Sequence, residues 1–235
     1  GQAVTCDDFI KAMEDANGAD LSQFKRWYSQ AGTPRLAVTE HYDAAQKTYS
    51  LSFAQSCPAT PDKVEKLPFV IPVQLGLLDA RGAEIALQLK GEPAACGTSR
   101  VLCVTEAEQT FTFVGINEQP LPSLLREFSA PVKLQFPYSR DQLMFLMQHD
   151  SDGFNRWDAG QQLAVQVLQE LIGQHQRGEA LVMDPRLVEA LRTVLGNQQL
   201  DQAMIGEMLS LPGEAYLTEI SEVADVEAIH AAREF

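Results

Sequence analysis

The chain has 235 residues, of which 45% are hydrophobic and 21% charged. This composition supports one or two folded domains and excludes an intrinsically disordered tail. Its 18 basic and 32 acidic residues give a formal net charge of −14, which argues against binding to a nucleic-acid backbone or to an anionic membrane surface. No apolar run in the sequence reaches the ~20 residues of a transmembrane helix.

The four cysteines are sparse and contain no Cys-x-x-Cys pair, the spacing of zinc ribbons and thioredoxin-type sites. This usage predicts a reduced, cytoplasmic protein rather than one held together by disulfides. The chain begins with Gly1 and shows no charged and apolar leader pattern. We therefore expect a piece of a longer cytoplasmic protein.

The first 32 residues predict two helices. Thr5 and Asp8 have the spacing of a capping box, and Phe9, Ile10 and Met13 follow on one helical face. Asn17-Gly18 ends this helix, because both residues tolerate a left-handed backbone. Asp20 then caps a second helix, with Leu21, Phe24, Trp27 and Tyr28 at helical spacing, which ends before Gly32 and Pro34.

From residue 35 to about 136, apolar residues alternate with polar ones, the period of half-buried β-strands. About seven short strands in about a hundred residues are typical of an antiparallel β-sandwich with immunoglobulin-like architecture. The Cys…Trp…Cys signature of antibody domains is missing, so the similarity is one of architecture. The predicted strands cover 36–42, 49–53, 69–77, 85–89, 102–104, 111–113 and 132–136.

From Ser139 onward the hydrophobic period returns to 3.6. Ser139 and Gln142 form a second capping box pattern, and a long helix is predicted over about 152–177. Asp184-Pro185 and Asp201 begin the next two helices, and two shorter helices follow. Successive helices with short loops predict an antiparallel helical array, although no strict sequence repeat is present.

Motifs that carry catalysis are absent from the sequence. It contains no His-Glu-x-x-His zinc motif, no Gly-x-Ser-x-Gly nucleophile elbow and no glycine-rich phosphate or dinucleotide loop. The four histidines, His41, His149, His175 and His230, are scattered along the chain. We therefore assign no catalytic, cofactor-binding or metal-binding residue to it.

Several weaker patterns allow two interpretations. His149, Asp150 and Asp152 fit either a metal cluster or a helix end followed by a helix cap, and capping explains every residue. Glu106 and Glu108 fit either an acid–base pair or solvated carboxylates at a turn. The remaining alternatives are a disulfide or free thiols at Cys96 and Cys103, and ligand stacking or core packing for the aromatic residues Trp27, Tyr28 and Trp157.

One continuous run carries a specific resemblance. Residues 24–34 contain the pattern Trp-x-x-Gln-x-Gly-x-Pro and lead into a strand, which resembles the bacterial alanyl aminopeptidase N family, zinc metallo-aminopeptidases of the gluzincin type. Further similar segments follow in order along the whole chain: 5–9, 13–16, 58–61, 107–111, 127–134 and 156–159.

The resemblance implies an interior fragment downstream of the catalytic zinc motif. On the family architecture, residues 1–33 correspond to the helical tail of the catalytic domain, 34–136 to a small β-sandwich and 137–235 to the first part of an armadillo/HEAT-like superhelix. The expected fold is thus α+β and multidomain, and the expected function is that of a non-catalytic scaffold. The resemblance also implies Zn2+ in the parent enzyme only, with the other parent domains as partners.

A free-standing protein-binding module, built from the β-sandwich and the helices and without enzymatic activity, is the alternative. An independent Cys- or His-based hydrolase has no motif to support it.

Overall fold

The computed structural model describes residues 3–61, 64–198 and 200–235. The chain divides into two compact units. The first comprises Gly1–Asp79 and Glu84–Pro137 and holds the N-terminal helices and the β-strands. The second comprises Ala80–Ala83 and Tyr138–Phe235 and is helical.

The first helix, α1, spans Cys6–Asn17 and has the predicted ends. The Thr5 hydroxyl oxygen accepts a hydrogen bond from the Asp8 backbone N–H at 3.2 Å, and the Asp8 carboxylate accepts one from the Thr5 N–H at 2.8 Å. Gly18 follows in the left-handed conformation with φ of 62°. These local contacts confirm the predicted capping box and helix end.

The predicted second helix from Asp20 is wrong in length, because α2 spans only Arg26–Ser29. The Arg26 N–H bonds to the Gln23 carbonyl, three residues back, which is a turn rather than an α-helix. Trp27 directs its indole N–H to the Val70 carbonyl at 2.8 Å. Packing against the sandwich thus overrides the helical spacing of this segment.

The described part of the first unit contains seven strands in two sheets. One sheet has the order β5-β2-β1-β7 and the other β4-β3-β6. Adjacent strands are antiparallel except β1 and β7, which are parallel. The strands are β1 Arg35–Asp43, β2 Thr48–Ser56, β3 Ile71–Leu78, β4 Ser99–Val104, β5 Glu108–Val114, β6 Leu121–Leu124 and β7 Lys133–Gln135.

Seven strands are both predicted and observed, but one predicted strand is absent and one observed strand was not predicted. The predicted strand at 85–89 is reduced to isolated bridges, Leu78 to Glu84 and Leu89 to Phe113. The strand β6 was not predicted, because it is short and contains Pro122. It exists because it pairs with β3, with Leu124 opposite Leu75.

The sandwich core follows the alternation of the sequence. In β2, Tyr49, Leu51 and Phe53 are buried, while Ser50 and Ser52 lie on the opposite face. There they share hydrogen bonds with Thr112 and Thr110 of β5 at 2.8 and 2.7 Å. Other members of the same core are Leu36, Val38, Phe69, Ile71, Val73, Leu75, Leu77, Leu87, Leu102, Val104 and Phe113.

The second unit contains six helices in its described residues, and their N-caps follow the sequence. Ser139, Asp184 and Asp201 accept hydrogen bonds from the first-turn N–H groups of their helices, as predicted. The helices are α3 Arg140–His149, α4 Gly153–Gln176, α5 Pro185–Leu195, α6 Gln202–Leu209, α7 Glu214–Ile220 and α8 Val226–Glu234.

The long helix α4 buries the predicted residues Leu163, Val167, Leu168 and Leu171. Across the described ranges, no helix combines the length and apolarity required to span a bilayer.

Candidate functional site

The structure places His149 at the C-terminal end of α3 and Asp152 at the N-cap of α4. His149 is the last residue of α3, and its ring packs on Phe145 with centroids 4.5 Å apart. Asp152 caps α4 by accepting a hydrogen bond from the Asn155 N–H at 2.8 Å. Among the residues that the structure describes, no group of three or more His, Cys, Asp or Glu side chains is placed to hold a metal ion.

The other candidate residues are either exposed on the surface or packed against neighbouring side chains. Glu106 and Glu108 are exposed, and all four cysteines are free. Trp27 packs against the sandwich core, with its ring centroid 4.7 Å from that of Phe69. Trp157 is half-buried beside Phe154, at a centroid distance of 5.7 Å. The structure therefore does not assemble these candidates into a catalytic arrangement.

Several exposed apolar residues of the first unit lie at its N-terminal end. Only Ile10 of the predicted inward face of α1 is buried, whereas Phe9 is 61% and Met13 is 44% exposed. Phe9 and Met13 are one turn apart, so they share a face of the helix. Val4, Phe24 and Tyr28 are also exposed, and these five residues form what we call the N-terminal apolar set.

The segment after α1 is bonded firmly to the sandwich. The Gln30 side chain donates to the Leu67 carbonyl at 3.0 Å and accepts from the Leu67 N–H at 2.7 Å. The Gln23 side chain donates to the Thr105 carbonyl at 2.7 Å. Phe24 and Tyr28, within this fixed segment, pack edge to face at 6.2 Å. Phe24 and Tyr28 of the N-terminal apolar set therefore lie in a segment that is hydrogen-bonded to the sandwich.

A second unusual feature is a turn with left-handed backbone at residues other than glycine. Leu125, Glu127 and Phe128 have φ of 57°, 56° and 51°. Such conformations are uncommon for bulky residues and are held by the surrounding structure. Phe128 is nevertheless exposed. Sequence patterns do not reveal this turn, because its backbone angles have no local signature.

Arg126 anchors this turn on the face of β3 opposite the sandwich core, because Gly76, which it contacts, alternates with the core residues Leu75 and Leu77. Its side chain is 3% exposed, and it donates to the Ser123 hydroxyl at 2.9 Å and to the Glu84 carboxylate at 2.8 Å. The guanidinium lies against the backbone of Gly76, where an added Cβ would be 2.3 Å from a guanidinium nitrogen. A side chain at position 76 would therefore conflict with this buried ion pair.

Comparison with known proteins relates the two units to described domains. Residues 32–137 match the family described as "Domain of unknown function (DUF3458) Ig-like fold", and residues 140–235 match "Domain of unknown function (DUF3458_C) ARM repeats".

Whole-chain relatives carry the name aminopeptidase N. The chain is 44% identical to the Escherichia coli protein over 234 residues, which is 100% of the chain and 26% of that relative. It is also 44% identical to the Haemophilus influenzae protein, of which it covers 27%. The crystal structure of Legionella pneumophila aminopeptidase A in complex with aspartic acid is similar, with 31% identity and a TM-score of 0.79 over 99% of this chain and 25% of that one.

Proposed function

We propose that the chain, which is similar to the bacterial aminopeptidase N proteins and matches Ig-like and ARM-repeat domain families over residues 32–137 and 140–235, is a non-catalytic scaffold fragment of a zinc-dependent aminopeptidase. The parent would remove N-terminal amino acids from peptides. The observation that carries the proposal is the match of the entire chain to only about a quarter of each relative.

The zinc ion of the parent would be held elsewhere. Within the described ranges the side chains do not fit a zinc site, since they include no suitable His, Cys, Asp and Glu group. We therefore derive no catalytic step from these residues. Their role would be physical: a packed sandwich is a stiff spacer, and an array of helices supplies a continuous wall.

The proposed boundaries are 1–33 for the tail of the catalytic domain, 34–136 for the sandwich and 137–235 for the start of the superhelix. The N-terminal apolar set would then be covered by the rest of the catalytic domain. We also propose that the parent is cytoplasmic and that its remaining domains, with peptide substrates, are its partners. Neither nucleic acid nor a membrane is a partner in this proposal.

Metal analysis and an activity assay test the proposal directly. The purified chain is expected to hold far less than one zinc per molecule and to leave alanine anilide intact, with or without added zinc. A full-length aminopeptidase N relative serves as the active control. One tightly held zinc per chain, or hydrolysis that a chelator abolishes, would contradict the scaffold assignment.

A binding experiment separates the scaffold from the free-standing module. The chain is expected to bind the separately produced remainder of its parent polypeptide, and Phe9→Gln with Met13→Gln to weaken that binding. Val188→Gln is the matched control, because Val188 is exposed on α5 outside the N-terminal apolar set. Absence of binding by the unaltered chain would favour the module instead.

A further inference from the structure

A small cleft lies in the helical unit. It has a volume of about 210 Å3. Its walls come from α4 and α7. The lining residues are Asp158, Gln161, Gln162, Val165, Gln166 and Tyr216.

One of the two amide N–H groups of each of the three glutamines is already engaged. Gln161 donates to the Ser210 carbonyl at 2.8 Å, and Gln166 donates to the Tyr138 carbonyl at 3.3 Å. Gln162 donates to the Asp158 carboxylate at 2.6 Å. These bonds fix which end of each amide is nitrogen, because the partner atom in every case is an acceptor.

The cleft retains acceptor oxygens as well as the second N–H group of each glutamine amide. The side-chain oxygens of Gln161, Gln162 and Gln166 receive no hydrogen bond from the residues in the described ranges. Together with the Asp158 carboxylate they offer oxygen atoms that can accept hydrogen bonds from a ligand with several N–H donors.

Asp158 adds an uncompensated negative charge. It is half-buried, and its contact with Gln162 is neutral; within the described ranges it forms no ion pair. Burial raises the pKa of the Asp158 carboxyl, while the hydrogen bond from Gln162 opposes that rise. A carboxylate in such surroundings is stabilised by a cation that also donates hydrogen bonds.

We propose that this cleft binds one guanidinium or primary ammonium group, as carried by an arginine or lysine side chain of a peptide. Tyr216 lines the same cleft, and such cations interact favourably with aromatic rings. The net charge of −14 attracts cations over a longer range. The proposal does not rest on the aminopeptidase assignment, because the contacts within the helical unit carry it.

Binding of N-acetyl-arginine amide to the 235-residue chain, followed by NMR shifts of the α4 and α7 amides, tests the cleft. N-acetyl-citrulline amide has nearly the same shape without the charge and is expected to bind at least about tenfold more weakly. Nα-acetyl-lysine amide, which keeps its ε-ammonium group, is expected to bind at the same place. No saturable shift at millimolar arginine amide, or equal binding of citrulline amide, would overturn the proposal.

Variants assign the effect to Asp158. Asp158→Asn keeps the size and removes the charge, and it is expected to weaken arginine amide binding at least about tenfold. Glu219→Gln is the matched control, since Glu219 is exposed on α7, carries the same charge and does not line the cleft. Unchanged binding by Asp158→Asn, with the fold verified by circular dichroism, would overturn the assignment.

The full-length parent distinguishes two sources of the cation. Binding of arginine amide to both the parent and the 235-residue chain would identify a cleft open to peptides. Binding to the 235-residue chain alone would show that an arginine or lysine of the parent itself occupies the cleft, with the same chemistry.

Discussion

The contact between Gly76 and Arg126 predicts that Gly76→Ala strongly destabilises the sandwich. An added Cβ would lie 2.3 Å from a guanidinium nitrogen and 2.4 Å from the guanidinium carbon. Ordinary contacts are 3.4–4 Å, so the guanidinium must retreat by about 1 Å or more. That movement breaks its bonds to Ser123 and Glu84. Disrupting a buried charge pair costs about 3–5 kcal/mol, and we expect the lower end because the Glu84 side chain is 25% exposed.

The assay should report on the sandwich alone, because the chain divides into two units. The protein has two tryptophans: Trp27 packs on the sandwich core, and Trp157 lies in α4. In a Trp157→Phe background, denaturant unfolding followed by Trp27 fluorescence therefore measures the first unit. Gly206→Ala is the control, since an added Cβ there meets no atom within 4 Å, and it should leave this transition unchanged.

A double-mutant cycle identifies the cause. Arg126→Met is itself destabilising, but it removes the group that the new methyl would strike. Gly76→Ala should therefore cost about 1–3 kcal/mol less in the Arg126→Met background than in the unaltered chain. Equal costs in the two backgrounds, or a loss below about 0.5 kcal/mol for Gly76→Ala alone, would refute the reasoning.

Three further predictions concern the helical unit. The Asp184 carboxylate caps α5 and pairs with Arg186 and Arg140, which hold the pKa of Asp184 well below its usual range. Asp184→Ala should lower amide protection of α5 by about 1 kcal/mol or more, and Asp184→Asn, which retains a cap, by less. Because this pKa is lowered, the carboxylate's stabilisation should persist above the unfolded pKa of ~3.9 and be lost only as acid is added below it. The pKa of His230 is raised by its hydrogen bond to Glu214, 2.8 Å away. NMR titration should place the pKa of His230 above ~6.5, and Glu214→Gln should lower it. Because this pKa is raised, the contact should weaken as the pH rises through the pKa of the folded state. Residues 213–235 should exchange their amide hydrogens faster than α4, because Val223 and Val226 are exposed; protection equal to that of α4 at every protein concentration would contradict this.

The capping residues were predictable because their partners lie within a few residues. Thr5 with Asp8 and Ser139 with Gln142 satisfy each other's backbone groups in the first turn of a helix. The buried positions of β2 were predictable for a similar reason, since alternate residues of a strand face opposite sides of a sheet. The family resemblance was predictable from the pattern around Trp27.

Interactions between distant parts of the chain decided the rest. Strand β6 forms despite Pro122 because β3 lies beside it, and the helical spacing after Asp20 fails because Trp27 bonds to a strand carbonyl. The exposure of Phe9 could not be read from its helical face, because the sequence does not say which part of that face is covered.

The sites show the same division. Arg126 meets Glu84 across 42 positions of the sequence, and the cleft at Asp158 requires Tyr216 from another helix. The sequence alone determined which segments become helices or strands wherever neighbouring residues supply the caps and the alternation. Only the tertiary structure decided which charged groups are buried together, because burial depends on surfaces contributed by residues far apart in the chain.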